Sequence, residues 1–323
     1  MLFRSVESGE RRAIVQRGDV VRYGSVCSGI EGLSVAVERA GLSWRPSWFC
    51  EIDSFCRELL AARYQGVPNH GDITAAQIES FAAVDVVCGG TPCQSFSVQG
   101  KRGGLDDGRG RLALRFGEIV SAVRPEWVVW ENVPGSLTSG GGRDFDCITA
   151  DLVERGYSLA WRVLDAQFFG VPQRRRRLFL VGHRGTRWEI PAAVLFEPRT
   201  SGELDSTAEQ IQARRRAACE SAGAIGWSGD ETPKHGLEIT PTLRASQGGE
   251  GVGYVRCGEA VRLTADDWEL LQGFPEGYTA IDGASDAQRR KALGNSFAVP
   301  VVAWIIERID IMQGALRATE RNR

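Results

Sequence analysis

Over the first 180 residues, short apolar runs alternate with longer segments of helical spacing. Residues 20–26 predict a first strand, closed by a small-residue turn, Cys27-Ser-Gly-Ile-Glu-Gly32. Leu33, Val37 and Ala40 then recur at helical spacing, and Gly41 ends the stretch. Residues 46–50 predict a second strand and 54–63 a second helix. Two more strands are predicted at 84–88 and 127–130, and 178–181 adds another, entered from four consecutive arginines. Such alternation predicts an α/β fold with a parallel sheet and helices on both faces.

From about residue 184 to 258 the pattern fades into a polar stretch rich in Arg, Glu, Gly and Ser. Regular spacing returns over 260–275 and 291–312, with an amphipathic to apolar helix at 297–309. The expected organisation is an extension at 1–19, a first unit at 20–183, an inserted module at 184–258, and a segment at 259–323 that returns to the first unit. No internal repeat is visible.

The chain has 323 residues, 42% of them hydrophobic, with a formal net charge of −2. That length suffices for one large core and a smaller unit. The near-neutral charge speaks against a protein that coats nucleic acid, but it leaves room for a local basic groove. No run reaches the roughly 18 apolar residues of a membrane span. Residues 1–19 are charged and lack the apolar core of a signal peptide. The eight cysteines include no Cys-x-x-Cys pair, and His70, His183 and His235 stand far apart. No metal site or disulfide scaffold is expected, and a reducing cytoplasm fits this usage.

Five segments carry candidate chemistry. Cys93, in Cys88-Gly-Gly-Thr-Pro-Cys93-Gln-Ser, follows a predicted buried strand, where an open α/β sheet presents reactive groups. A free thiol ionises near pH ~8.5, so it keeps a reactive fraction near neutrality; the plain alternative is a packing cysteine. In the first turn, Ser28, Gly29 and Gly32 let the backbone approach a ligand beside a helix N-terminus. Glu51 ends strand two, where a carboxylate can bind ribose hydroxyls, and Asp72 could accept from an adenine amino group. The turn lacks the full Gly-x-Gly-x-x-Gly of dinucleotide folds, so an adenosyl ligand without pyrophosphate fits better. Glu131 follows four apolar residues, which predicts partial desolvation and a bias to its protonated form. In Gln173-Arg-Arg-Arg-Arg177, strand alternation sends Arg175 and Arg177 to one face and Arg174 and Arg176 to the other. The glycine-rich, basic stretch at 99–111 reads as a lid or as an ordinary surface loop.

Taken together, the chain resembles the DNA (cytosine-5) methyltransferase family over about 23–182 and 261–309. The resemblance rests on six motifs in family order: the turn at Ser28 to Gly32, Pro92-Cys93-Gln94, Glu131-Asn132-Val133, Gln173-x-Arg175-x-Arg177, Leu271-Gln-Gly-Phe-Pro275 and Gly294-Asn-Ser296. It implies a Rossmann-like, S-adenosylmethionine-dependent methyltransferase sheet with a smaller target-recognition domain inserted at 184–258. It makes Cys93 the nucleophile on carbon-6 of a flipped cytosine. Glu131 would bind the ring nitrogen and amino group, and Arg177 the carbonyl oxygen, with Arg175 beside it. The implied cofactor contacts are Ser28, Gly29, Ile30 and Leu33 at the methionine end, Glu51 and Ile52 at the ribose, Asp72 and Ile73 at the adenine, and Pro92, Asn295 and Ser296 nearby. Gln94, Gln99, Arg109 and Gln173 would meet DNA, Gln99 as filler of the vacated stack. The partner implied is double-stranded DNA, with a cognate restriction endonuclease in a restriction-modification pair. A monomeric, cytoplasmic, bacterial or phage-encoded enzyme with no membrane contact is expected.

Two departures stand out. Cys27 replaces the family's usual aromatic and Glu31 its third small residue. The first predicts weaker cofactor binding unless a neighbour compensates. Three other readings stay open: an RNA (tRNA) cytosine-5 methyltransferase of the same fold, a non-catalytic DNA-binding protein, and a nicotinamide-dependent oxidoreductase.

Overall fold

Six strands form the central sheet in the order β2-β1-β3-β4-β6-β5, as seen in a computed structural model that describes residues 20–91, 110–196, 243, 253–256 and 259–321. They are β1 (Arg22–Val26), β2 (Arg45–Cys50), β3 (Val86–Gly89), β4 (Trp127–Asn132), β5 (Tyr157–Asp165) and β6 (Arg176–Arg184). The first four run parallel, joined by α1 (Gly32–Arg39), α2 (Ser54–Arg63) and α3 (Gly110–Val123). α2 begins where Asp53 caps it, its carboxylate accepting from the Cys56 amide.

The parallel expectation fails beyond β4, because β6 pairs antiparallel with β4 and β5 antiparallel with β6. The cause is connection length: residues 166–175 are too few for a parallel crossover, which needs about a dozen residues. β5 itself has no counterpart in the sequence pattern. Its residues are mostly half-buried on a sheet edge, so its alternation is blurred.

Alternation along the strands supplies two cores. On β4, Trp127 and Val129 face a core shared with α1 and the long last helix α8 (Val299–Arg321). Val128 and Trp130 face a second core under α3 and α4 (Arg143–Glu154). Both sheet faces are therefore covered, as expected. α5 (Glu189–Leu195) buries Ile190, Val194 and Leu195 in the first of these cores. The expected boundary at 184 precedes this helix, which packs on the first core. A separate hairpin, β7 (Gly253–Arg256) with β8 (Glu259–Arg262), straddles the other expected boundary.

α6 (Ala265–Gln272) and α7 (Asp286–Asn295) lead to α8. Buried Glu269 of α6 accepts from the amides of Gly277 and Thr279 (2.6 Å each) and pairs with Arg289 of α7 at 3.0 Å. This network fixes the segment that carries Phe274 and Tyr278. Among the described residues no single helix is long and apolar enough to cross a membrane.

Candidate active site

The strand order places a topological switch between β1 and β3, where an open α/β sheet forms a crevice at its carboxyl edge. A cleft of about 580 Å³, counted with its open mouth, lies there. Its walls come from the turn after β1 (Cys27 to Gly29, with Glu31), the end of β3 (Cys88 to Gly90), Glu131 of β4, and Asn295 to Phe297.

Glu131 is held by register. It lies opposite Phe179 of β6, and Arg177 sits two residues earlier on the same face, so the two meet diagonally. Arg177 Nε is 3.0 Å from Glu131 Oε1, with both side chains mostly buried. Burial raises the Glu131 carboxyl above the ordinary carboxylate range, while Arg177 and Arg175 pull the other way. Gly90 permits this arrangement. A Cβ there would stand 2.6 Å from the Glu131 carbonyl oxygen and 3.1 Å from Oε2. The second glycine of the Cys88-Gly-Gly run is therefore a packing requirement of the site.

The four arginines divide as alternation predicts, Arg174 and Arg176 outward and Arg175 and Arg177 inward. Arg175 is not presented to the cleft as a free cation, however. Its guanidinium donates to the carbonyls of Leu243 (2.9 Å), Gly294 (3.0 Å) and Ser296. Burial lowers its proton affinity to about 9, so it remains charged at neutrality. Arg175 thus ties the β6 strand to the segment bearing Asn295 and Ser296. Arg175→Ala should lower the unfolding free energy by roughly 3–5 kcal/mol, because three buried carbonyls lose their donor. A urea unfolding midpoint within error of the parent would contradict this.

Gln173 is held inside the protein. Expected to touch DNA, it is fully buried, donating to the Leu271 carbonyl (3.0 Å) and accepting from the Leu243 amide (3.4 Å). Its amide is committed to internal backbone. Ile30 also departs from expectation: its side chain is sealed in the core and its carbonyl accepts from Tyr278 Oη at 2.7 Å.

Of the remaining cofactor candidates, Ser28, Gly29, Leu33, Asn295 and Ser296 line the cleft. Ser28 bridges β1 and β2, its amide donating to the Cys50 carbonyl and its hydroxyl accepting from the Cys50 amide. Glu51 accepts from the amides of Gly29 (2.6 Å), Ile52 and Asp53 (2.8 Å each). The loop that would face a ribose is thereby fixed. Ile52 is 67% exposed beside it, an apolar side chain left open at the sheet edge. Asp72 is exposed and accepts from the Thr74 amide and hydroxyl, whereas Ile73 is buried. Pro92, Cys93, Gln94, Gln99 and Arg109 lie outside the described residues, as does the whole 99–109 stretch.

Sequence reasoning missed Phe297, whose ring lines the cleft and presses on Gly32: a Cβ there would be 2.8 Å from its Cε2. An aromatic beside the Asn295-Ser296 motif was the signal available.

A family model described as C-5 cytosine-specific DNA methylase matches residues 21–212 and 198–310. The type II methyltransferase M.NlaX of Neisseria lactamica is 30% identical over 90% of this chain and 96% of its own length. The type II methyltransferase M1.ScrFI of Lactococcus lactis subsp. cremoris is 31% identical over 80% of this chain and 70% of its own. A protein of Escherichia phage P1 named DNA N-6-adenine-methyltransferase is 32% identical over 89% of this chain, which spans only 61% of that relative's length. Among solved structures, the Dnmt2 methyltransferase of S. pombe superposes with a TM-score of 0.67 at 18% identity, covering 89% of this chain and 97% of the other.

Proposed function

The chain belongs to the C-5 cytosine-specific DNA methylase family, and from that premise we propose that it transfers a methyl group to carbon-5 of cytosine in duplex DNA. The observation that carries the reading is the Glu131–Arg177 pair at the carboxyl edge of the sheet, walled by the ends of β1 and β3. Glu131 offers one carboxyl that can donate to a ring nitrogen and accept from an adjacent amino group. Arg177 offers a cation to the ring's carbonyl oxygen.

S-adenosylmethionine would supply an electrophilic methyl group on a sulfonium. The cradle fits an adenosyl ligand: Glu51 anchors a loop beside exposed Ile52, Asp72 has further acceptor capacity, and Phe297 gives an aromatic wall. Ser28, Gly29, Leu33, Asn295 and Ser296 would hold its methionine end. Arg175 acts as a positioning residue, since its donors are committed to backbone carbonyls.

In the proposed reaction the Cys93 thiolate adds to carbon-6, and Glu131 protonates or polarises the ring nitrogen, so electron density collects on carbon-5. Carbon-5 takes the methyl group as the methyl–sulfur bond breaks to leave a neutral thioether; it then loses its proton to solvent, the ring nitrogen returns its proton to Glu131, and the thiolate leaves to restore the ring. Extruding the base costs a few kcal/mol. Cys27 and Cys88 also line the cleft, but burial pushes both thiols up, Cys27 to about 12. Neither offers thiolate near neutrality, which supports Cys93 in that role.

One relative's name specifies adenine N6. An exocyclic amine can attack a methyl sulfonium directly and has no need of a thiol or an acid at a ring nitrogen, so this site favours cytosine. Bisulfite sequencing of a plasmid co-expressed with the chain should show one short sequence protected at cytosine. Unmodified cytosines throughout, or labelled methyl going to tRNA in preference to duplex DNA, would overturn the proposal.

A further inference from the structure

Glu31 lies in the turn between β1 and α1, at the N-cap of the helix. Its backbone is left-handed (φ 57°), a conformation that costs a non-glycine residue roughly 1–3 kcal/mol. Only 1% of its surface is exposed, yet it contributes to the wall of the cleft. Oε1 caps α1, accepting from the amide and hydroxyl of Ser34 at 3.3 Å. Oε2 is buried and makes no hydrogen bond of good geometry, although the Ser25 and Tyr23 hydroxyls lie near enough to act on the carboxyl.

The groups around this carboxyl are Tyr23 and Ser25 from β1, Ser34 from α1, Tyr64 after α2, Cys88 from β3 and Tyr278 from the segment after α6. None is a cation. Arg63 of α2 is engaged by Tyr278 instead, its guanidinium 4.4 Å from the ring centroid and donating to the Tyr278 carbonyl. Among the described residues no ion pair forms on Glu31. A strained, buried acid with an under-bonded oxygen and no counter-ion, at the edge of a ligand cleft, is an incomplete electrostatic site.

We propose that Glu31 is the anionic counter-group for a cationic centre of the S-adenosyl ligand, its sulfonium or its α-ammonium. This rests on the functional reading above and assigns a charge-recognition role to a buried acid of the first turn. Burial raises the free carboxyl to about 7, with the hydroxyls of Ser25, Ser34 and Tyr23 opposing the rise. A cation entering the cleft would stabilise the ionised form, so binding releases a proton at pH values below about 7.

The test is calorimetric titration of S-adenosylmethionine and of S-adenosylhomocysteine into the full chain, its Glu31→Gln and its Glu31→Gly forms. Each is run at pH 5.5 and 7.5, in two buffers of different ionisation enthalpy. The parent should lose about 10-fold or more in affinity at the lower pH and release up to about one proton per ligand. Both variants should bind with less pH dependence and without that release; the ligand's own titration is common to all three and cancels. Coupling with both ligands identifies the ammonium, and coupling with S-adenosylmethionine alone the sulfonium. Identical pH dependence and proton exchange in parent and variants would overturn the proposal while leaving the functional reading intact. No S-adenosylmethionine binding by the parent at either pH would overturn both.

Folding gives an independent readout. The free carboxyl, raised above its ordinary 4.5, favours folding below that value and opposes it as pH climbs through about 7. Glu31→Gln should therefore raise the melting temperature at pH 8 but not at pH 5. Glu31→Gly, suited to the left-handed turn, keeps the test valid if the glutamine packs poorly.

Discussion

Cys93→Ala should abolish methyl transfer, a fall of about 10⁴-fold or more, the scale on which removal of a covalent nucleophile acts. S-adenosylmethionine affinity should stay within about two-fold, since the thiol is assigned to the base and not to the donor. The size of the effect follows from the chemistry. Carbon-5 of cytosine is too electron-poor to attack a methyl sulfonium until a nucleophile has added at carbon-6. No neighbouring group can take over, because the Cys27 and Cys88 thiols are suppressed by burial. A duplex with 5-fluorocytosine at the target makes the step visible. Fluorine occupies the position from which a proton must leave, so the parent should accumulate a covalent protein–DNA adduct. The alanine variant should form none. An adduct with Cys93→Ala, or turnover above a thousandth of the parent rate, would rule out this sulfur as the nucleophile.

What the sequence disclosed and what it hid divide along one physical line. Features set by neighbours in the chain were legible. α2 begins after the Asp53 cap and ends at Arg63, as its spacing predicts. Strand alternation alone separated Arg175 and Arg177 from Arg174 and Arg176, and Glu131's place after four apolar residues foretold its desolvation. Features set by distant partners were hidden. Gln173 reads as a polar side chain ready for DNA, but Leu271 and Leu243, far along the chain, claim both ends of its amide. Arg175 reads as a neighbour that supports the Arg177 pocket, but the three remote carbonyls it donates to could not be read from the sequence. Ile30 is closed off by Tyr278. Edge strand β5 was lost because an edge lets Trp161 and its neighbours stay partly wet, which erases the period-two signal. Glu31 lies between the two cases. Its oddity was plain in the sequence, but the missing counter-ion emerged only once β1, α1 and β3 were packed around it.

Glu131→Gln should lower kcat by about 10²–10³-fold with little change in S-adenosylmethionine affinity, because an amide keeps the shape but cannot deliver a proton to the ring nitrogen. The pH dependence has a definite sign. Burial raises the Glu131 carboxyl, so its proton-donating form is present at low pH and fades as pH rises through that elevated value. Cys93 titrates oppositely, since its thiolate grows with pH. The parent's kcat/KM should thus rise and then fall with pH, whereas the glutamine variant's residual activity should only rise. Stability offers a control. The substitution leaves the mostly buried Arg177 without its carboxylate partner at 3.0 Å, so the unfolding free energy should fall by roughly 3 kcal/mol, and rates are compared well below the variant's melting temperature. Gly90→Ala reaches the same residue by another route. Its Cβ would lie 2.6 Å from the Glu131 carbonyl, forcing the end of β4 away from β3 and pulling the carboxyl off Arg177. It should match Glu131→Gln in lost turnover, though not in the altered pH profile, since the acid remains. A Gly90→Ala enzyme of normal rate would show that the Glu131–Arg177 geometry does not limit the reaction.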